Sequence, residues 1–108
     1  MACQNAEFVP GAVINEPAAN AVLKRGAIAV RGTIDLQSSI GYEFQYRGEG
    51  DRVDDFHFAM ERVGGRVKNG ELGVWDATKL PQGKYVLRLR VKLHDGNYKD
   101  CDVPIRLE

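Results

Sequence analysis

Histidines are natural sites for acid–base or metal chemistry, and this chain of 108 residues has two, His57 and His94. Neither belongs to a group of cysteines and histidines with the spacing of a zinc site, and no serine lies in a nucleophile-elbow motif. A metal site built from His94, Asp95 and Asp100 is less well supported than an ordinary hairpin loop. We therefore expect no metal, no cofactor and no catalytic residues, and we do not expect an enzyme.

Acidic side chains crowd one loop, at Glu49, Asp51, Asp54 and Asp55. Calcium needs several oxygen ligands, but this segment lacks the D-x-D-x-D-G pattern and has arginines beside it. The composition favours a solvated acidic loop. Paired carboxylates for glycoside hydrolysis would also need a cleft, and a chain this short has little spare length to build one.

Three aromatic side chains, Tyr42, Tyr46 and Trp75, are candidates for a ligand-binding surface. Exposed rings of this kind would suit a glycan-binding module. The competing interpretation is that Trp75 closes the edge of the fold and at least one tyrosine lies in the core.

Charge and hydropathy narrow the choice of partners. The chain has 15 Lys and Arg against 15 Asp and Glu, so it lacks the basic footprint of a nucleic-acid binder or of a protein held on an anionic membrane. No apolar run approaches the roughly 18 residues of a membrane span, and no signal-peptide pattern is visible. We expect a protein partner or an envelope component, with self-association also open.

Short segments with period-two alternation of apolar and polar residues, separated by glycine and proline turns, predict an all-β sandwich or barrel of about seven strands. Pro17 cannot donate to a ladder, which predicts an edge position for the first run. In residues 56–63 the alternation turns Phe56, Phe58 and Met60 inward. The runs cover residues 11–16, 21–24, 27–35, 41–47, 56–63, 71–76, 84–93 and 98–107.

The last two runs form a hairpin whose register follows from keeping both apolar faces on the same side. We predict a three-residue loop, 95–97, which places Arg90 opposite Asp102 and Lys92 opposite Asp100. The basic stripe of one strand is then neutralised by the acidic stripe of the next. The competing interpretation of these cations is an anion- or nucleic-acid-binding stripe.

The most informative motif runs from Trp75 to Tyr85. Leu80 fills the edge of the core, Pro81 and Gly83 shape the turn, and Tyr85 enters the next strand. The arrangement resembles the tyrosine corner of sandwich domains, in which a tyrosine hydroxyl holds the preceding loop. We therefore assign structural roles to Trp75, Leu80, Pro81, Gly83 and Tyr85.

From about Ile14 onward the chain resembles bacterial immunoglobulin-like modules of cell-surface and secreted proteins, such as those appended to penicillin-binding and other envelope proteins. The resemblance implies an immunoglobulin-like or fibronectin-III-like antiparallel β-sandwich over residues 11–108, preceded by an N-terminal extension, 1–10. It rests on Ile14-Asn15-Glu16-Pro17, Val30-Arg31-Gly32-Thr33, Tyr42-Glu43-Phe44-Gln45-Tyr46, Asn69-Gly70-Glu71-Leu72-Gly73-Val74-Trp75-Asp76, Leu80-Pro81-Gln82-Gly83-Lys84-Tyr85 and Asp95-Gly96-Asn97-Tyr98 followed by Cys101.

The two cysteines, Cys3 and Cys101, stand near opposite ends of the chain. Their number alone leaves open a bridge, two unrelated thiols, or lipidation of Cys3 as the first residue of a processed chain. The resemblance implies the bridge, because an early cysteine commonly accompanies that of the last strand in such modules. A bridge in turn implies an oxidising compartment, hence an extracellular or cell-envelope location.

The expected function is a non-catalytic accessory module of a bacterial envelope or secreted protein, serving as a spacer or protein-interaction domain. One alternative is a structural subunit of an extracellular fibre, in which residues 1–17 add as a strand to a neighbouring sheet. Another is a glycan-binding module, which an exposed Trp75 would favour.

Overall fold

The computed structural model describes Cys3 and residues 10–52, 54–64 and 66–108, and these residues form eight strands in two sheets. The order is β1-β3-β6 in the first sheet and β2-β8-β7-β4-β5 in the second. All neighbouring strands are antiparallel except β2 and β8, which are parallel. The predicted all-β sandwich is confirmed, with one strand more than expected. The strands are β1 (Ala12–Glu16), β2 (Ala21–Leu23), β3 (Ala27–Ile34), β4 (Ser39–Gly48), β5 (His57–Val63), β6 (Val67–Asp76), β7 (Gly83–Leu93) and β8 (Tyr98–Leu107).

The core lies between the two sheets because alternate residues of each strand point to one face. The central strands β7 and β8 show this pattern without interruption, and their inward side chains join those of β3, β4 and β6 in one apolar cluster. Burying each large aliphatic side chain contributes roughly 1.5–3 kcal/mol before entropy is counted. The inward residues of β7 and β8 are Tyr85, Leu87, Leu89, Val91, Cys101, Val103, Ile105 and Leu107.

The edge strand β5 departs from simple alternation. Phe44 of β4 lies opposite Met60, but the next residue, Gln45, lies opposite Phe58. Ala59 is therefore an extra residue that bends the strand, as bulges at sheet edges do. Met60 stays packed against the core, whereas Phe58 is 60% exposed. The prediction that Phe58 faces inward was wrong because the bulge reverses the parity of the strand.

The same bulge places Phe56 on the outer face of the five-stranded sheet, which corrects its predicted inward position. Its ring lies 3.7 Å from the guanidinium carbon of Arg88 and 5.4 Å from that of Arg47. A cation over an aromatic face is attracted by the negative face of the ring. Phe56 therefore covers charged side chains instead of entering the core.

The β7–β8 hairpin has a loop of the predicted length in a different place. The Leu93 N–H donates to the Asn97 carbonyl, and the Gly96 N–H donates to the Leu93 carbonyl. Gly96 has a φ of +90°, so it occupies the left-handed third position of a three-residue loop, 94–96. The predicted loop, 95–97, was wrong because it put Gly96 in the middle. The observed register differs from the predicted one by two residues. Because two is an even number, both strands still bury their apolar faces.

The described parts of the N-terminal region are tied to the sandwich. Cys3 and Cys101 are joined by a disulfide, and the Gly11 carbonyl accepts a hydrogen bond from the Asp35 N–H. β1 pairs with β3 at the edge of the three-stranded sheet. Of the expected extension, 1–10, residues 1–2 and 4–9 lie outside the described residues.

Candidate functional site

Charged side chains cover the outer face of the five-stranded sheet, opposite the core. Arg88 donates to both carboxylate oxygens of Asp102 at 2.8 and 2.9 Å. Arg90 makes the same paired contact with Asp100 at 2.9 and 3.0 Å. Bidentate arginine–carboxylate pairs are among the strongest polar contacts in proteins. These four side chains are only 17–23% exposed, so solvent screens them less than it screens ordinary surface pairs.

These partners differ from those predicted. Arg90 faces Asp100 instead of Asp102, and Lys92 lies opposite Tyr98 instead of Asp100. The cause is the position of Gly96 in the loop, which shifts the register by two residues. The acidic strand still neutralises the basic one, so the competing view of this stripe as a free anion-binding surface does not fit Arg88, Arg90 or Lys92.

Lys92 continues the ion-pair network onto β4 and β5. Its ammonium lies 2.8 Å from Glu43 and 3.0 Å from Glu61. Burial raises the pKa of Glu43, but the hydrogen bonds that it accepts from Lys92 and Gln45 outweigh burial, so its pKa lies below its ordinary value. The ionised form of Glu43 is therefore favoured by folding.

We expect E43Q to lower the free energy of unfolding by about 1 kcal/mol near pH 6. A carboxyl group whose pKa is lowered in the folded state stabilises it above its unfolded pKa and ceases to do so as pH falls through the folded pKa. The difference between E43Q and the wild type should therefore shrink between pH 5 and 3. Urea unfolding at several pH values measures it.

Glu71→Gln is the matched control, because Glu71 is an exposed residue of β6. Its substitution should change stability by less than about 0.5 kcal/mol at pH 6. A penalty for E43Q that stays constant down to pH 3 would contradict the proposed contribution of its ionised form.

The predicted aromatic surface is not present. Trp75 and Tyr42 are each 1% exposed, and the Tyr42 hydroxyl donates to the Leu72 carbonyl at 2.6 Å. Tyr46 is half-buried, with its ring centroid 5.6 Å from that of Trp75 and 6.4 Å from that of Tyr85. The three rings fill the space between the sheets because they occupy inward positions of β4 and β6, so they form no platform for a ligand.

The turn between β6 and β7 holds together the residues given structural roles. The Tyr85 hydroxyl donates to the Pro81 carbonyl at 2.7 Å, the contact that defines a tyrosine corner. Leu80 packs against the core. Gly83 has a φ of +143°, a conformation that favours glycine. Trp75, at the end of β6, makes an edge-to-face contact with Tyr85 at 6.3 Å between ring centroids.

The acidic loop between β4 and β5 is held by its own polar contacts. Asp51 accepts a hydrogen bond from the Gly48 N–H at 2.9 Å and lies 3.0 Å from Nε2 of His57. The Gly48 N–H is the main cause of a lowered pKa at Asp51. Within the described ranges, no three His, Cys, Asp or Glu side chains are placed to share a metal ion.

A second feature of the outer face is a groove of about 390 Å³, which we call the transverse groove. It crosses β2, β8, β7 and β4 near the C-terminal end of β8. Val86 and Pro104, which lie opposite each other, form its floor. Longer side chains rise around them, and those that bear charge are Arg47, Glu49, Lys84 and Arg106. Of these residues, sequence reasoning singled out only Glu49, as part of an acidic loop.

Comparison with solved structures finds a similar fold in the structure described as "Structures of Clostridium thermocellum CbhA fibronectin(III)-like modules". The TM-score is 0.59 at 13% sequence identity, over 88% of this chain and 44% of that chain. This chain therefore spans less than half of the length of that chain. The likeness shows an immunoglobulin-like or fibronectin-III-like β fold and nothing finer. No protein-family model and no curated protein matches the chain.

Proposed function

We propose that this chain is a non-catalytic accessory module of an exported protein, belonging to a bacterial cell envelope or secreted, and that it acts as a load-bearing spacer. The observation that carries the proposal is the disulfide between Cys3 and Cys101, which determines how tension would pass through the domain. The disulfide connects the N-terminal region directly to the last strand, so tension between the two ends bypasses almost all of the fold.

Strand directions support a spacer. The Ile14 N–H contacts the Cys101 sulfur, and farther along both strands Ala21 and Leu23 lie beside Ile105 and Leu107. β1 and β2 therefore run in the same direction as β8. The disulfide holds Cys3 beside Cys101, and the chain beyond it follows β8 to Leu107, a path of roughly 20 Å at the rise of a strand. Neighbouring segments attached on the two sides would be held apart by about that distance.

The disulfide determines which part of the chain can lengthen under tension. Cys3 and Cys101 are separated by 98 positions, and the segment between them contains seven strands and the first three residues of the eighth. Under tension the covalent bond carries the load across this segment. Only residues 102–108 remain outside it on the C-terminal side; residues 102–107 pair with β7, and residues 105–107 also pair with β2.

An exported location is supported by the same bond. Disulfides persist in secreted and periplasmic compartments and are rare in the cytosol of mesophiles. In the described residues no helix is both long enough and apolar enough to cross a membrane. The fold likeness to fibronectin(III)-like modules agrees with an accessory role, although fold alone does not assign function.

The two alternatives receive less support. A fibre subunit would donate its N-terminal stretch to a neighbour, but β1 pairs with β3 of the same chain and Cys3 is bonded to Cys101 of the same chain. A glycan-binding module would present Trp75, which is buried. The spacer is therefore the function that the geometry supports best.

Single-molecule stretching of the chain between two handle domains tests the proposal. The oxidised protein should lengthen by far less than roughly 25 Å, the full contour of residues 102–108, because most of these residues are already extended in β8. After reduction, unfolding should release roughly 300 Å more, from the 98-position segment. The control is Cys3→Ala, which should show the long extension with or without reductant.

An oxidised chain that releases hundreds of ångströms in one step would overturn the proposed load path and with it the spacer function. Oxidised molecules that show only short extensions, alongside long ones after reduction, would support it.

A further inference from the structure

The outer face of the five-stranded sheet has two unlike halves. Near the β7–β8 hairpin, each of Arg88, Arg90 and Lys92 lies against at least one carboxylate. Near the opposite end, around the transverse groove, no ion pair within 4 Å joins Arg47, Lys84 or Arg106 to a carboxylate of the described residues, and Asp51 acts on Arg47 only through its charge. Glu49 is the single acidic residue in the groove lining. The groove half therefore has an excess of positive charge, whereas each of these three cations of the hairpin half is matched by a carboxylate.

Arg47, which borders the groove, carries a polar atom without a partner. Its Nε donor is buried from solvent and has no acceptor among the described residues. A buried donor without a partner is unfavourable, and native structures satisfy almost all of them. Because this atom is closed to solvent, a ligand in the groove does not reach it, and Arg47 contributes to the groove by its charge.

The floor of the groove is aliphatic. Val86 and Pro104 carry short side chains between longer neighbours, and Val22 at the β2 edge is 58% exposed. Tyr85 also borders the groove, but its ring is buried. Sugar rings and nucleobases are bound on exposed aromatic faces, which this surface lacks. An aliphatic floor suits an apolar side chain of a polypeptide.

We infer that the transverse groove binds an acidic peptide segment that carries an apolar side chain. The apolar side chain rests on Val86 and Pro104, and flanking carboxylates contact Lys84 and Arg106 and are attracted by the charge of Arg47. Guanidinium groups suit this role because their fork of donors matches both oxygens of a carboxylate. The site goes beyond the spacer function and does not depend on it, since the groove lies on the face away from the disulfide.

NMR titration of the ¹⁵N-labelled full chain tests the inference, with the peptide acetyl-Asp-Asp-Leu-Asp-Asp-amide as the probe. We expect saturable shifts of the backbone amides of Val22, Val86 and Arg106, with a dissociation constant on the order of a millimolar. A peptide with Asn in place of each Asp should bind at least about tenfold more weakly, because the groove attracts charge. A peptide with Gly in place of Leu should also lose affinity.

Variants locate the contacts. K84Q and R106Q should each weaken binding of the acidic peptide by about three- to fivefold, the effect expected of one exposed ion pair. The matched control is R62Q, because Arg62 is an exposed cation of β5 outside the groove lining. Its affinity for the peptide should equal that of the wild type. All three variants should keep the wild-type amide spectrum away from the substituted residue, which shows that they remain folded.

Three results would overturn the inference. The first is the absence of saturable shifts at the groove residues up to 10 mM peptide, roughly ten times the expected dissociation constant. The second is equal binding of the acidic peptide and its Asn version. The third is saturable groove shifts with an oligogalacturonate but not with the peptide, which would assign the site to an acidic glycan. None of these results would alter the stretching behaviour on which the spacer proposal rests.

Discussion

Replacing Cys3 by alanine should lower the free energy of unfolding by about 4–5 kcal/mol. The bridge closes a loop of 98 positions, and closing so large a loop restricts the unfolded chain far more than the folded one. Proteins of this size have total stabilities of roughly 5–15 kcal/mol. The C3A variant should therefore retain little of the wild-type stability, measured by urea unfolding under oxidising conditions.

Cys3 is the better position for this substitution, because Cys101 is fully buried and its sulfur accepts a hydrogen bond from the Ile14 N–H at 3.2 Å. The C3A variant keeps that sulfur in place, whereas a change at Cys101 would also disturb the core. Reduced wild type is the control and should match C3A closely. Equal stability of C3A and oxidised wild type would mean that the bridge contributes nothing to folding.

The central strands could be predicted from the sequence because nothing interrupts their ladders. In β7 and β8 inward and outward positions alternate throughout, both strands pair on both sides, and every predicted inward position is buried or packed against the core. The end of β7 and the start of β8 were also close to the observed bounds. Where two neighbours constrain a strand, period-two alternation determines which side chains enter the core.

The predictions of side-chain facing and of strand register failed at two places where a single residue decides the outcome. In β5, an edge strand, the bulge at Ala59 reverses the face of Phe56 and Phe58, and no local residue type signals such a bulge. In the last hairpin the signal was present in Gly96. A three-residue loop places its left-handed residue last, so requiring glycine at that place would have predicted the observed ion pairs.

The transverse groove could not be predicted, because its residues come from different strands. The sequence of each strand does not show which other strands lie beside it in the sheet. Arg47, Lys84 and Arg106 belong to β4, β7 and β8, and Val22 joins them only because β2 lies parallel to β8 at the sheet edge. Sequence patterns indicate which face of a strand is polar. They do not indicate the order of strands in the sheet, so they cannot show which cations lack a carboxylate neighbour.

The sequence also left open whether the aromatic residues lie in the core or on the surface. Substitutions of Trp75 test its position in the core most directly. Its side chain is 1% exposed and packs against the rings of Tyr46 and Tyr85 at 5.6 and 6.3 Å between centroids. We expect W75A to lower the free energy of unfolding by about 3–5 kcal/mol, from lost burial and the cavity left behind. W75F should cost less, because it keeps an aromatic ring and removes the indole Nε1 donor, which is buried without an acceptor in the described residues.

Val74→Ala is the matched control, because Val74 precedes Trp75 in β6 and is 45% exposed on the opposite face. This substitution should change the free energy of unfolding by less than about 0.5 kcal/mol. Urea unfolding of the three variants in the oxidised state measures the differences while the disulfide is kept constant. If V74A were as costly as W75A, β6 would have its other face toward the core, and Trp75 would return to the surface as a possible glycan contact. If Trp75 is a structural residue of the core, only W75A among the three variants should lower the free energy of unfolding by the full amount of about 3–5 kcal/mol.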